Sequence, residues 1–422
     1  MTVSAKEASE AGQKSIEHLT GVLQACSRRE EVLFKTAQED FAQRLADPNP
    51  SSFQRPQNIL AHQSDLLDNY DANKAQQLFL TFKRNGTWQV PTLTVLRAYA
   101  YVDQGPFIQD PRMSYMPRSV RSLWDPKDNP VTKDLTAQDF AFRKRAFQKE
   151  LEVVAAAHRA GVPILAGTDV LNPFCFPGFS LHDELALMVE AGLSPMAALQ
   201  TATLNPARFL GREEDMGTVE KGKVADLVLL DANPLADIAN TKKINAVVFD
   251  GRLFPRNSLD QMLRHAEALA SRKSIAEALS KTINQDGIES ATKQYHLLRN
   301  SQPDAYDFGE DELNGLGYQL LHAQKINAAI EILKLNLEAY PNSYNAFDSL
   351  GEAFMADGQK ELAIQNYRKP LELNPIGFCI NNVIMQVLWF SARTPCPDQG
   401  EAPICWKTGA SGLWLCWTGG IR

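Results

Sequence analysis

The feature that most constrains this 422-residue chain is an alternation in its first half. Three extended runs, "KSIEHL" (14–19), "TWQVPTLTVL" (87–96) and "VPILAGTD" (162–169), are separated by stretches with helical spacing. Strands that are apolar on both faces and alternate with helices are the pattern of a parallel sheet covered by helices. The helical segments carry their own punctuation. Residues 3–12 read as a short helix closed by Gly12. "DANKAQQLFLTFKRNG" predicts an amphipathic helix with Asp71 or Asn69 as N-cap and Gly86 at its end. Thr136 to Gly161 predicts one long helix, Ser180 to Gly192 another, and Ser194 to Leu210 a third with Ser194–Pro195 as cap and first turn. Two Pro-rich segments, "DPNPSSFQRPQ" and the longer "DQGPFIQDPRMSYMPRSVRSLWDPKDNP", read as irregular excursions, the second long enough to be functional or a lid.

After Gly217 the texture changes. "GTVEKGKVADLVLLDANP" and "KINAVVFDGRLF" predict strands joined by tight turns, a small antiparallel unit. Beyond Leu259 the pattern is helical and repeats: Leu316–Gly317 recurs as Leu350–Gly351, Ala329–Ile330 as Ala363–Ile364, and Pro341 as Pro375, each 34 residues apart. That period, with small residues where paired helices approach, resembles the tetratricopeptide pattern of stacked helical hairpins. Residues 274–300 read as a degenerate first pair. After Pro375 neither period survives, and four of the six Cys (Cys379, Cys396, Cys405, Cys416) and four of the six Trp crowd into the tail. No C-x-x-C pair or nearby His supports a zinc site there.

The net charge of −7 and the lack of a basic stripe argue against a nucleic-acid surface. No run of about 18 apolar residues predicts a membrane span. The polar start, "MTVSAKEASEAGQK", lacks the apolar core of a signal peptide, so a cytoplasmic location is expected.

Taken together, "SIEHL", "VPTLTVL", "VPILAGTD" and "GTVEKGKVADLVLLDANPL" resemble the metal-dependent amidohydrolase superfamily, in its imidazolonepropionase- and prolidase-like branch. The resemblance covers about residues 3–256. It implies an α/β fold: the last three strands of a TIM-type (β/α) barrel over 1–212 and a β-sandwich remnant over 213–258. The tetratricopeptide-like helices over 259–375 and an aberrant or disordered tail over 376–422 would follow.

Matched position by position, His18 falls on the family's sixth-strand histidine and Asp169 on the eighth-strand aspartate, a metal ligand and general base. On the residues alone, His18 reads equally as a surface or capping histidine, and Asp169 as a loop-starting or capping acid. His182, with Glu184 in "SLHDEL", is a candidate for the pocket mouth and substrate contact, though first-turn polar residues also serve as caps. Thr92 and Thr94 read as core.

The implied cofactor is a divalent metal, zinc by family, which would lower the pKa of bound water and polarise a carbonyl. The implied substrate is a small-molecule amide or dipeptide-like C–N bond. The resemblance also implies missing parts. The family's H-x-H pair, fourth-strand lysine and fifth-strand histidine have no counterpart, since no two of the seven histidines stand two apart. Two ligands hold catalytic zinc poorly and three parallel strands cannot close a barrel, so the chain alone is expected to be inactive and its strand edges exposed. The alternative function is a non-catalytic module whose helical repeats bind a protein partner.

Overall fold

The computed structural model describes residues 3–46, 66–129 and 131–373, and two short strands in the tail. The chain divides into two compact units: Met1–Ser274 with Arg299–Asp307, and Ile275–Leu298 with Phe308–Arg422. Among the described residues no helix is long and apolar enough to cross a membrane.

The first unit is built on a small parallel sheet. β1 (Ser15–Glu17) pairs with β2 (Trp88–Val90), Ile16 opposite Gln89. The expected third strand joins as a single parallel bridge, Ile164 opposite Gln89, through Gln89 N–H to Pro163 O and Leu165 N–H to Gln89 O. It extends no further because Pro91 and Pro163 lack the N–H groups that would continue the ladder on either side of Gln89, and its outer edge is used elsewhere. Ala166 N–H donates to Thr201 O, and Asn205 Nδ2 donates to Ile164 O at 2.8 Å. On β1 the outward carbonyls are also taken, Ser15 O by the Gln13 side chain and Glu17 O by Thr20 N–H. Local side chains and turns thus blunt these edges in part, where open edges were expected.

Helices flank this sheet where their caps place them. Asp71 accepts from Asn73 and Lys74 N–H and starts the Ala72–Asn85 helix, and Gly86 ends it at φ 65°. Thr136 and Asp139 form a reciprocal capping box at the head of Ala137–Ala160, which Gly161 closes. Phe79, Phe82, Leu93, Val153, Val154, Ile164, Leu187 and Met188 form one buried cluster between helices and sheet.

Two expected elements differ. The run 87–96 is a strand only to Val90; Thr92 turns the chain and Leu93–Tyr101 is a helix. The helix expected over 194–210 is two, Pro195–Thr201 and Leu204–Phe209. A continuous helix would need an N–H at Pro206 to reach Ala202 O; beginning anew at Leu204 puts Pro206 in a first turn that needs no donor. The excursion after Asp103 is not irregular throughout. It holds short helices at Gly105–Ile108 and Arg118–Trp124, and Trp124 packs on Phe174 and Phe176, ring centroids 5.7 and 5.3 Å away.

Then β3 (Leu227–Leu230), β4 (Ile244–Phe249) and β5 (Arg252–Pro255) form an antiparallel sheet in that order. A register shift falls between Leu229 and Leu230.

The second unit is helical. The Glu310–His322 and Ile326–Ala339 helices form one hairpin, Tyr344–Ala356 and Lys360–Leu373 another. A Cβ on Gly317 would lie 2.6 Å from Leu333, and one on Gly351 2.8 Å from the Tyr367 ring. Glycine and neighbour both recur at the 34-residue spacing, and Ala329 and Ala363 are fully buried at equivalent places.

The loop 47–57, Pro375 and most of the tail lie outside the described residues. Within the tail, Ile404–Lys407 pairs antiparallel with Trp414–Trp417, Cys405 opposite Cys416, where the composition suggested no strand.

Candidate functional site

The three parallel segments end on the same side of the sheet, and each ends in a residue with left-handed backbone: His18 at φ 56°, Thr92 at 50° and Asp169 at 50°. This conformation is uncommon for any residue but glycine and unusual for a β-branched one. Three such residues at adjacent strand ends mark a place where the fold holds side chains against local preference.

They converge. His18 Nε2 lies 3.7 Å from Asp169 Oδ2, both side chains about two-fifths exposed. His18 Nδ1 lies 2.7 Å from Thr92 Oγ1, and the Thr92 hydroxyl donates to Pro91 O at 2.7 Å. The backbone of Asp169 is tied down separately. Its carbonyl accepts from Asn172 Nδ2 at 3.1 Å, and Asn172 Oδ1 accepts from the Tyr99 hydroxyl at 2.9 Å.

Beneath Thr92 lies Glu184, fully buried. Its two carboxylate oxygens accept from Leu93 N–H, Thr94 N–H and the Thr94 hydroxyl at 3.0, 2.7 and 2.7 Å. Thr92 makes no side-chain cap for the Leu93–Tyr101 helix; Glu184, from another helix, satisfies its first donors instead. Burial nevertheless wins: it pushes the Glu184 carboxyl up to about 7 against the lowering effect of those bonds. Glu184 is therefore a buried brace and not a residue of the pocket mouth. Thr92 and Thr94, read as core, are indeed buried, but Thr92 also touches His18. No sequence signal set Thr92 apart, because it lies inside the apolar run 87–96.

His182 is elsewhere. It lines a cavity of about 780 Å³ with Arg112, Phe179, Lys242, Val247 and Met262, a lining that includes neither His18 nor Asp169. Burial, then Lys242, lowers its pKa, and its buried Nδ1 has no hydrogen-bond partner among the described residues. Beside it, Asp183 takes Arg112 Nη1 at 2.5 Å and Lys242 Nζ at 2.8 Å. Burial alone would raise the Asp183 carboxyl, but these two cations outweigh it and hold it low. Sequence reasoning missed this cluster because Arg112, Asp183 and Lys242 come from three distant segments.

Two ligand-type side chains thus meet at the sheet end. A catalytic zinc takes three protein ligands and a water, and among the described residues no three His, Cys, Asp or Glu side chains gather as such a site needs. The donor set falls one short.

Comparison with known proteins gives this arrangement a context. Residues 113–254, which include Asp169 but not His18, match the model of the amidohydrolase family. An imidazolonepropionase of Aromatoleum aromaticum is 36% identical over 114 residues, 25% of this chain and 26% of that protein. One of Pseudomonas savastanoi is 39% identical over 93 residues, 22% and 23% of the two chains. The ochratoxinase of Aspergillus niger is 31% identical over 125 residues, 28% and 25%. The matches thus span about a quarter of these relatives' length. Among solved structures, bottromycin amidohydrolase is 21% identical, covering 64% of this chain and 51% of its own, with a TM-score of 0.44. Residues 113–254 are thus similar to the amidohydrolase family, with imidazolonepropionases among the similar proteins.

Proposed function

We propose that this chain carries part of a hydrolase site for amide-type C–N bonds in small molecules, with His18 and Asp169 as its ligand-type pair. The observation that carries this reading is their meeting at one sheet end, 3.7 Å apart, on strained backbone. The family description, amidohydrolase, supports the bond class, and the relatives' names support a small-molecule substrate: imidazolonepropionase and ochratoxinase each take their name from a small organic molecule. In this reading Asp169 is the residue placed to accept the proton of an attacking water, the role of a positioned carboxylate. His18, turned toward the same gap, orients that water with it. His182 faces a different cavity, so the substrate-contact role is not proposed for it.

With two donors, the pair holds a divalent metal weakly, and the chain alone does not turn over amides. The test is zinc titration of the full chain by calorimetry, beside its Asp169→Asn variant, with N-acyl amino acids as trial substrates. Weak binding that Asp169→Asn removes is the expected result. Binding indifferent to Asp169→Asn overturns the site; stoichiometric zinc that survives dialysis, with amide cleavage, overturns the two-donor reading.

A second reading concerns the other unit. The contacts of Gly317 with Leu333 and of Gly351 with Tyr367, 34 residues apart, favour tetratricopeptide-like repeats. In that reading the helices recruit a protein partner and the sheet is scaffold. Alanine substitution of exposed helix residues that leaves partner capture from extract unchanged would count against it.

A further inference from the structure

We propose that Thr92 is the positioning residue of His18: it fixes the ring as the Nδ1–H tautomer, so that the Nε2 lone pair faces Asp169. The proposal rests on the reading of His18 and Asp169 as the working pair. A neutral imidazole has one N–H and one lone pair, and the hydrogen bond made by one nitrogen decides which is which. Nδ1 stands 2.7 Å from Thr92 Oγ1. That hydroxyl has one proton to give, and Pro91 O stands 2.7 Å away to take it.

Pro91 and Thr92 are both buried, and among the described residues the Thr92 hydroxyl is the donor that reaches the Pro91 carbonyl. If the hydroxyl turned to Nδ1 instead, a buried carbonyl would lose its donor, which is costly away from water. With the proton spent on Pro91, Oγ1 can only accept, and Nδ1 must be the donor. Nε2 is then a bare acceptor opposite a carboxylate. The two acceptors repel weakly, because both side chains remain about two-fifths exposed and water screens them. Their 3.7 Å separation is too long for a direct hydrogen bond. It suits a molecule that gives a hydrogen to each, such as water.

The hydroxyl is held in this post from below. Thr92 keeps its left-handed backbone at φ 50° because the next two residues begin a helix whose N–H groups are bound by buried Glu184. Thr92 acts through His18 and touches no reacting atom.

The test uses metal-free full chain labelled with 15N-histidine, with long-range proton–nitrogen correlation in alkaline buffer. His18 is assigned by the signal lost in His18→Gln. The expected result is a protonated Nδ1 and a bare Nε2 in the native chain and in Thr92→Ser, which keeps the hydroxyl. In Thr92→Val the proton should move to Nε2, or the two tautomers should mix. A proton on Nε2 in the native chain overturns the proposal, as does an unchanged tautomer in Thr92→Val. Neither result touches the zinc titration of Asp169→Asn, so failure here is distinguishable from failure of the site itself.

Discussion

Removing the Glu184 carboxyl should cost the fold more in acid than at neutral pH. In Glu184→Ala, the Leu93 and Thr94 N–H groups lose their acceptor in a fully buried place, and the Thr94 hydroxyl keeps only the long bond to Ser180 O at 3.5 Å. At about 1–3 kcal/mol for each orphaned buried group, partly relieved by relaxation, the loss is roughly 3–5 kcal/mol. Against it stands the cost of burying a charge. Burial raises the carboxyl from 4.5 to about 7, so the native state binds the proton more tightly than the unfolded chain does. Stability therefore falls as pH rises, beginning above 4.5 and finishing near 7. At roughly 1.4 kcal/mol per unit, that fall is about 3 kcal/mol. The native chain bears this burden and the variant does not. The gap between them should be widest near pH 4.5 and shrink to roughly 0–2 kcal/mol at pH 8. Native-state hydrogen exchange of the peptide spanning the Leu93–Tyr101 helix, corrected for intrinsic rates, reads the opening free energy at the place concerned. A gap that widens with pH would refute the reasoning, because it would mean the helix N-terminus holds the ionised form more firmly than burial opposes it.

Other consequences follow from contacts of the same kind. Gly317→Ala puts a methyl 2.6 Å from the branch of fully buried Leu333; overpacking of about 1–3 kcal/mol exceeds the helix-propensity gain of about 1. Thermal unfolding should show a lower midpoint, and Gly351→Ala against Tyr367 should do the same. Asp183→Asn leaves Arg112 and Lys242 facing a neutral amide. It should destabilise the first unit by about 2 kcal/mol, discounted because Lys242 is half exposed, and urea unfolding with a near-neutral shift would contradict this. The Cys26 and Cys175 thiols are fully buried, and burial pushes both up to about 12. Peptide mapping after iodoacetamide at pH 8 should find both unmodified in native protein, and rapid labelling of either would count against their burial.

The elements legible in the sequence are those whose causes are local. Asp71, Gly86 and Gly161 start or stop helices by bonds to their own neighbours, and a reader of sequence sees those neighbours. The 34-residue recurrence was equally visible, since Gly317 and Gly351 repeat together with the bulk that fills their space. The illegible parts depend on partners far away in the chain. The outer edge of the third strand is held by Thr201 and Asn205. The helix after Thr92 exists because a carboxylate ninety residues later caps it. His18 and Asp169 could be named from a family pattern, whereas the hydroxyl between them in the sheet order could not, because a threonine in an apolar run reads as core.

What holds the pair together is the Leu93–Tyr101 helix more than either strand end. Left-handed backbone at non-glycine residues costs roughly 1–3 kcal/mol each, so three of them draw heavily on a net stability of about 5–15 kcal/mol. The structure offsets this through one element. At its head, Glu184 binds the first two N–H groups and so fixes Thr92, which meets His18 Nδ1. Two turns on, Tyr99 binds Asn172, whose amide holds the Asp169 carbonyl. His18 itself is anchored to the neighbouring strand by its N–H to Val90 O. One helix thus braces both members of the pair, and its replacement of the expected strand after Val90 is what makes that possible. A strand continuing past Thr92 would have carried Thr94 onward along the sheet and left Asn172 without Tyr99. The departure from the sequence expectation and the geometry of the site are therefore the same fact.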